Sequence, residues 1–436
     1  MNGLLRALGN FVGPAAVMAA GTMGAGAIAS FLLAGAWFRY DLLWVLLPLL
    51  PLFVISADSA SRIGALNPST GILTLVRGRL APALAWVILA LIVPVHFLVT
   101  MGQVSVMVSA FSSLVGLAPA GEATHLPVAA EVVLSVALAA GVLWLVFSRG
   151  YERMQTVMSC LMVLMFLCFL IVALRGLSEW RAILAGFVPA LPPDLPVPGE
   201  AAPRVATSSL IAMVGAAIAP AALLGLPYLC ADAGSGRAEL TRAFWQAVLN
   251  LGFVFGAYAF FVLVAGAFAL YPLADHASFA DVGQASVVLR AALPEGLAFV
   301  GPVIFSLGLF TAAMTTLVVA AQVTIYFMLD MAGKPWRFSA DNRLYHRLLT
   351  VFVLGAAALA PFWDFPALLK VILLMGVNVV AIPLVYVIVL ALANSRAVMG
   401  EFRAEWWRNL FLGLGLAVSI ALAIDKAPLY YRMLLG

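Results

Sequence analysis

Four side chains that can bind ions or exchange protons stand inside stretches that are otherwise almost wholly apolar. They are Asp58, His96, Gln103 and Asn378. Such groups are expensive inside a membrane span, so each is a functional hypothesis by default. Asp58 precedes Arg62 by four residues, a spacing that predicts an ion pair on one helix face. His96 can carry a proton near neutral pH or be a hydrogen-bonded packing residue, and His96, Gln103 and Asp58 are our candidates for a coupling or polar pathway.

The elements that position these residues are membrane-spanning helices. The chain is 65% hydrophobic and 10% charged, whereas a soluble domain is about 25% charged. A segment of about 20 apolar residues crosses the hydrocarbon core of a bilayer. We therefore predict an all-α integral membrane protein, without a sizeable soluble domain, that has eleven spans: 11–37, 42–63, 82–115, 128–148, 154–176, 206–231, 243–271, 298–331, 348–364, 366–393 and 408–424.

The first and sixth spans are interrupted by small residues and proline at corresponding places. Residues 21–27 read Gly-Thr-Met-Gly-Ala-Gly-Ala, and residues 215–222 read Gly-Ala-Ala-Ile-Ala-Pro-Ala-Ala. Gly and Pro are common in membrane helices because they allow close packing. A matched pair of interruptions, however, is the best sequence indicator of a transporter's substrate site.

We predict that helices 1 and 6 unwind near Gly24 and Pro220 and face each other across a mid-membrane cavity. The predicted substrate-binding residues are those of the two breaks together with one polar residue of the tenth span: Thr22, Gly24, Ala25, Gly26, Ala27, Ala219, Pro220, Ala221, Ala222 and Asn378.

The loops alternate in positive charge. Fifteen Lys and Arg residues fall on one side of the predicted membrane and eight on the other. The richer side is expected to be cytoplasmic. This predicts a multi-pass protein of the cell inner (plasma) membrane, with the N-terminus in the cytoplasm and the C-terminus outside.

Several classes of function lack their sequence signatures. The three cysteines form no Cys-x-x-Cys pair, so a disulfide framework or zinc site is not expected. No glycine-rich nucleotide loop of the G-x-x-x-x-G-K-[ST] type occurs, and no nucleophile–base pair marks an enzyme. We expect no cofactor and no nucleic-acid partner. The expected partners are a small-molecule or ion substrate and membrane lipid; a monomer is consistent with the sequence, which leaves the oligomeric state open.

Several segments in the order of the spans resemble one family. Residues 21–44, Ser61-Arg62-Ile63-Gly64, Gly150-Tyr151-Glu152-Arg153, Pro383 and residues 394–402 are similar to segments of the NRAMP (natural resistance-associated macrophage protein) divalent-metal transporters. The resemblance implies the LeuT-like fold, in which two five-helix repeats have inverted topology and helices 1 and 6 are unwound. The repeats would cover about 11–176 and about 206–393, followed by an extra helix at about 408–424.

The chemistry of the two breaks departs from that of the family. Metal-transporting members carry Asp-Pro-Gly-Asn in helix 1, where this chain has residues 24–27, Gly-Ala-Gly-Ala; they carry Met-Pro-His in helix 6, where it has residues 219–221, Ala-Pro-Ala. A carboxylate, an amide and a thioether are missing, and divalent transition metals need such donors. We therefore expect no metal site and weak or undetectable manganese binding. Restoring Gly24→Asp, Ala27→Asn and Ala219→Met together is expected to raise metal affinity.

The replacement of large polar residues by Gly and Ala predicts a roomier, nearly neutral cavity. Residues 24–26 are also similar to the glycine-rich break of amino-acid carriers with this fold. Our interpretation is an NRAMP-related secondary transporter that works by alternating access and moves a small organic solute rather than a transition metal. The alternatives are a divalent metal cation transporter, as in the parent family, and a non-transporting membrane scaffold or sensor.

Overall fold

A computed structural model describes residues 21–117, 126–148, 151–198, 203–232, 236–339, 341–363 and 365–435. Ten helices in this part of the chain are long and apolar enough to cross a membrane, and a shorter apolar helix precedes them. Residues 11–20 of the predicted first span lie outside the described residues.

The long helices follow the predicted spans in order. Their bounds are α1 (Ala25–Phe38), α2 (Leu46–Leu66), α3 (Pro82–Leu114), α4 (Val128–Phe147), α5 (Tyr151–Gly176), α6a (Ala206–Ala217), α6b (Pro220–Asp232), α7 (Leu240–Ala247, a π-helical segment Val248–Val254, and Phe255–Ala269), α8 (Val300–Met331), α9 (Arg343–Leu359), α10 (Ala367–Asn394) and α11 (Trp406–Leu435).

Short helical segments make the connections. α-Helical turns lie at Ile72–Arg79, Trp180–Ala185, Val282–Ala285 and Arg396–Met399, and 3₁₀ turns at Leu43–Val45, Leu177–Glu179, Arg237–Glu239, His276–Ser278, Ser286–Ala292, Glu295–Leu297 and Ala360–Phe362. In the described residues the β structure is limited to one antiparallel bridge between Leu195 and Arg204.

The break in helix 6 follows from proline chemistry. Pro220 has no N–H to donate to the preceding turn, so the hydrogen-bond ladder of α6a cannot continue through it. Ile218 leaves the helical conformation, and α6b starts afresh at Pro220. The predicted interruption of this helix is confirmed.

The break in helix 1 occurs at Met23 and Gly24. Gly21 and Thr22 are helical, Gly24 is extended, and α1 begins at Ala25. Glycine disfavours a helix interior by about 1 kcal/mol relative to alanine, and here it also allows a very close approach of α8. Both predicted unwound points are therefore present.

The broken helices lie at the centre of the bundle. Every residue of α1 is buried, and α1 packs against α7, α6a, α10 and α8. α3 packs against α8 and α10, and α11 covers α10 from outside. This LeuT-like, all-helical arrangement places both breaks deep inside the protein.

Candidate functional site

A cavity of about 40 Å³ lies between the two breaks. The walls come from the start of the described chain, α3, the α6 break, α8 and α10. The lining residues are Gly21, Thr22, His96, Val99, Ala216, Ala219, Ala221, Ala222, Thr316, Val319, Ala320, Met375 and Asn378. Mid-membrane space at the meeting of two unwound helices is where a transporter of this architecture binds its cargo.

Thr316 of α8 contacts helix 1 at its break and just before it. Its Oγ1 donates to the carbonyl oxygen of Gly21 at 3.1 Å. The same side chain packs so closely on Gly24 that an added Cβ there would overlap Oγ1 and lie 2.8 Å from the Thr316 Cβ. Gly24 is therefore required by the approach of α8.

His96 of α3 presents one ring nitrogen that has no partner. Nδ1 lies 2.7 Å from Thr324 Oγ1, and that hydroxyl donates its hydrogen to the Ala320 carbonyl at 2.7 Å. Since the hydroxyl hydrogen is used, Nδ1 must be the donor to Thr324. In the neutral ring the lone pair is then on Nε2, which is buried without a hydrogen-bond partner.

Asn378 of α10 has a free acceptor in the same place. Its Nδ2 donates to the Gly215 carbonyl of α6a at 3.2 Å, whereas its Oδ1 has no hydrogen-bond partner and is buried. Buried polar atoms are nearly always satisfied. An unsatisfied amide oxygen and an unsatisfied imidazole nitrogen in the walls of one cavity indicate a site for a ligand that accepts lone pairs.

Met375 supplies a thioether from the helix turn before Asn378. Its side chain packs on Gly26, where an added Cβ would lie 2.6 Å from Met375 Cγ. Gln103 Nε2 lies 4.0 Å from Met375 Sδ, and Gln103 Oε1 is buried without a partner. The sequence reasoning missed Met375, although its spacing of three residues from Asn378 places both on one helix face.

Some of the predicted site residues line the cavity, and others lie next to it. Those that line the cavity are Thr22, Ala219, Ala221, Ala222, Asn378 and His96. Gly24, Ala25, Gly26 and Ala27 are buried beside it, and Pro220 starts α6b. Gln103 does not line the cavity but contacts Met375, which does, and its amide oxygen has no hydrogen-bond partner.

Asp58 belongs to a separate ion-pair cluster. It accepts from Arg62 Nε at 3.0 Å, which confirms the predicted pair, and also from Arg408 of α11. The Asp58 side chain is fully buried. The sequence did not predict Arg408, because nothing in the spacing indicates that α11 returns to α2.

The expected roomier cavity is not found. Neighbouring side chains fill the volume that small residues vacate on helix 1, with Thr316 against Gly24 and Met375 against Gly26. The expectation of no metal site counted only the side chains of helices 1 and 6. Among the described residues no group of three or more His, Cys, Asp or Glu side chains could hold a metal ion, but oxygen, nitrogen and sulfur donors do reach the cavity from α3, α8 and α10.

Comparisons with known proteins identify relatives of this chain. Residues 15–426 match the family described as natural resistance-associated macrophage protein-like. A protein of Acidiphilium cryptum (strain JF-5), named divalent metal cation transporter MntH, is 26% identical over 331 residues, which cover 74% of this chain and 70% of that protein.

Two solved structures share the fold of this chain. A manganese transporter of Eremococcus coleocola, in complex with an aromatic bis-isothiourea substituted compound, superimposes with a TM-score of 0.70 at 17% identity, covering 97% of this chain and 87% of the other. MhsT in complex with L-phenylalanine superimposes with a TM-score of 0.62 at 15% identity, covering 94% and 98%. At these identities the likeness shows the shared fold.

Proposed function

We propose that this chain, which belongs to the natural resistance-associated macrophage protein-like family, is a secondary transporter that moves a divalent metal cation across the membrane. The observation that carries the proposal is the cavity between the breaks of helices 1 and 6. The Acidiphilium relative, named as a divalent metal cation transporter, supports the same cargo. A small organic solute, which we expected from the breaks alone, is not supported.

The size of the cavity favours an ion. A single water needs about 10–15 Å³ of comparable space, and the cavity has about 40 Å³. That space accommodates a cation with a small remnant of its hydration shell. A solute with the bulk of an amino acid does not fit without a large outward movement of Thr316 and Met375.

The donor set favours a transition metal over a hard cation. Asn378 Oδ1 and His96 Nε2 are unpartnered, and Met375 adds a thioether to the wall. Carboxylate, carbonyl and water oxygens suit magnesium and calcium, whereas imidazole and thioether ligands select softer metals. A mixed O, N and S set is therefore suited to divalent ions such as iron or cobalt better than to magnesium or calcium.

The described walls contain no Asp or Glu, so dipoles must compensate the charge of the cargo. α6a ends at Ala217 beside the cavity. The C-terminal carbonyls of a helix carry roughly half a negative charge, and half-helix ends coordinate cations in transporters of this kind. Weaker compensation than a carboxylate provides predicts lower metal affinity than in carboxylate-containing sites.

His96 offers a route to proton coupling. Its Nε2 lone pair can bind a metal or a proton, but not both at once, because only the neutral imidazole is a ligand. We propose that metal arrival and proton release compete at this nitrogen. The expected result for His96→Gln is metal uptake that loses most of its dependence on a proton gradient.

The deciding experiment is uptake of manganese and cobalt into proteoliposomes, with calorimetric titration of the purified protein. Met375→Leu conserves volume and removes the thioether; we expect it to weaken cobalt binding about tenfold, about 1.4 kcal/mol. Met314→Leu is the matched control, because Met314 is buried on α8 outside the cavity wall. The absence of saturable uptake of any divalent metal by the wild-type protein would overturn the proposal.

A further inference from the structure

A second cavity, of about 250 Å³, opens on the side of the bundle between α2, α6a, α10 and α11. It lies behind the break in helix 6, on the face of α6a that carries Leu210, Val214 and Ile218. Val418 and Leu422 of α11 form the opposite wall. Each of these residues belongs to a helix long and apolar enough to span the membrane, so the mouth of the cleft faces lipid.

The polar groups that line the cleft already make hydrogen bonds within the protein. Its lining is aliphatic except for Trp44, Tyr386 and Ser419. Ser419 donates to the Leu416 carbonyl at 2.8 Å, Ser56 donates to the Tyr386 hydroxyl at 3.0 Å, and the Trp44 indole donates to Ala190 at 2.8 Å. With its polar atoms already bonded, the cleft selects an apolar occupant.

On the α6a side the cleft extends from Leu210 to Ile218. At 1.5 Å per residue that interval is about 12 Å, most of the roughly 15 Å that is half of the hydrocarbon core. The cleft therefore begins near a membrane surface and ends near the midplane, the path that an acyl chain follows in a leaflet.

A cationic group stands at the surface end. Lys426 follows Leu422 by one helical turn, and its Nζ donates to Thr207 Oγ1 at 2.7 Å, about one turn beyond the lining residues Leu210 and Leu422. Asp425 lies 3.2 Å from the same ammonium group. Because that carboxylate is 56% exposed and would repel a phosphate, a lipid phosphate would replace it as the anionic partner of the ammonium. Trp44 marks the same end, and tryptophan is enriched at the membrane–water interface.

We propose that this cleft is a phospholipid site. One acyl chain lies against Leu210, Val214, Val418 and Leu422, and the phosphate is bound by Lys426. Because Ile218 is both the first residue of the break and the floor of the cleft, the acyl chain braces α6a from the lipid side. The site is independent of the metal proposed as cargo.

Native mass spectrometry of the protein, purified from phospholipid nanodiscs, tests this by counting retained lipids. Val418→Trp fills the cleft, and Ile420→Trp is the control, since Ile420 is exposed on the same helix outside the cleft. We expect one retained phospholipid in the wild type and in Ile420→Trp, and none in Val418→Trp. Lys426→Gln should retain lipid at a several-fold lower fraction.

Thermal unfolding with added phospholipid gives a second measurement. The melting temperature should rise with lipid in the wild type and Ile420→Trp and stay constant in Val418→Trp; Leu422→Trp replaces that variant if it fails to fold. Equal lipid retention in all variants would overturn the site. So would a wild-type dimer that Val418→Trp dissociates, because the cleft would then hold a second copy of the chain, or retention of detergent in place of phospholipid.

Discussion

Thr316 Oγ1 occupies the space that a side chain on Gly24 would need. The two residues come from α8 and from the break in helix 1, and Thr316 also donates to the Gly21 carbonyl. The space left by the missing side chain at position 24 is thus filled by Thr316 of α8. Restoring Gly24→Asp with Ala27→Asn and Ala219→Met therefore needs a change at Thr316 as well.

The first prediction is a strong coupling between these two positions. Gly24→Ala alone should destabilise the protein by about 1–3 kcal/mol, the usual cost of overpacking. Thr316→Gly in the same chain should recover part of that loss, because it removes the overlapping atoms. Thermal unfolding of the single and double variants measures the coupling energy.

Gly141→Ala is the control for helix propensity, since nothing lies within 4 Å of a Cβ at that position of α4. It should be neutral or stabilise by up to about 1 kcal/mol. Additive effects of Gly24→Ala and Thr316→Gly would show that the two positions are not in contact.

The second prediction concerns the buried ion pairs of Asp58. Asp58→Asn leaves the guanidinium groups of Arg62 and Arg408 without a carboxylate, and removal of one partner of a buried pair costs about 3–5 kcal/mol. The comparison is Arg39→Gln, which removes the more exposed Arg39–Glu179 pair of 3.0 Å and should cost at most about 1 kcal/mol. Melting temperatures in detergent that fall equally for both variants would contradict this ranking.

The third prediction is that the hydrogen bonds of Asp330 keep the arginine-rich end of the bundle closed. We call this set of hydrogen bonds the latch. Asp330 of α8 accepts from Tyr228 of α6b at 2.6 Å, from Thr74 Oγ1 at 2.6 Å and from the Leu73 amide at 3.0 Å. Asp330→Asn replaces an acceptor oxygen with a donor. Loss of charged hydrogen bonds, each about 1.5–3 kcal/mol, should open this end more often.

Cys230 reports on the latch, because it lies buried two residues after Tyr228. In a background with Cys160 and Cys168 changed to serine, Asp330→Asn should raise the rate of thiol modification about tenfold or more. Asp341→Asn, a change at an exposed residue beyond α8, should leave the rate unchanged. Equal rates in both variants would mean that Asp330 does not hold this end closed.

The fourth prediction is the orientation, which rests on loop charge. Ser339 and Gly296 are exposed in connections on opposite sides of the bundle. In a cysteine-free chain, Gly296→Cys should react with a membrane-impermeant thiol reagent in intact cells, and Ser339→Cys should react only after the membrane is opened. Reaction of Ser339→Cys in intact cells would reverse the topology.

The sequence by itself determined the spans, the two breaks and the Asp58–Arg62 pair. Each follows from local chemistry: about 20 apolar residues cross a bilayer, Pro220 ends a hydrogen-bond ladder, and a spacing of four residues places two side chains on one helix face. The family resemblance likewise depended on short segments in a fixed order.

Only the tertiary structure decided which side chains surround the breaks of helices 1 and 6. The contacts of Gly24 with Thr316 and of Gly26 with Met375 join residues almost 300 or more positions apart, and no local rule indicates which helices meet across a break. The same holds for His96 and Thr324, whose hydrogen bond fixes the ring tautomer. The cavity is small and lined with donors because long-range helix packing brings α3, α8 and α10 into the space that helices 1 and 6 leave open.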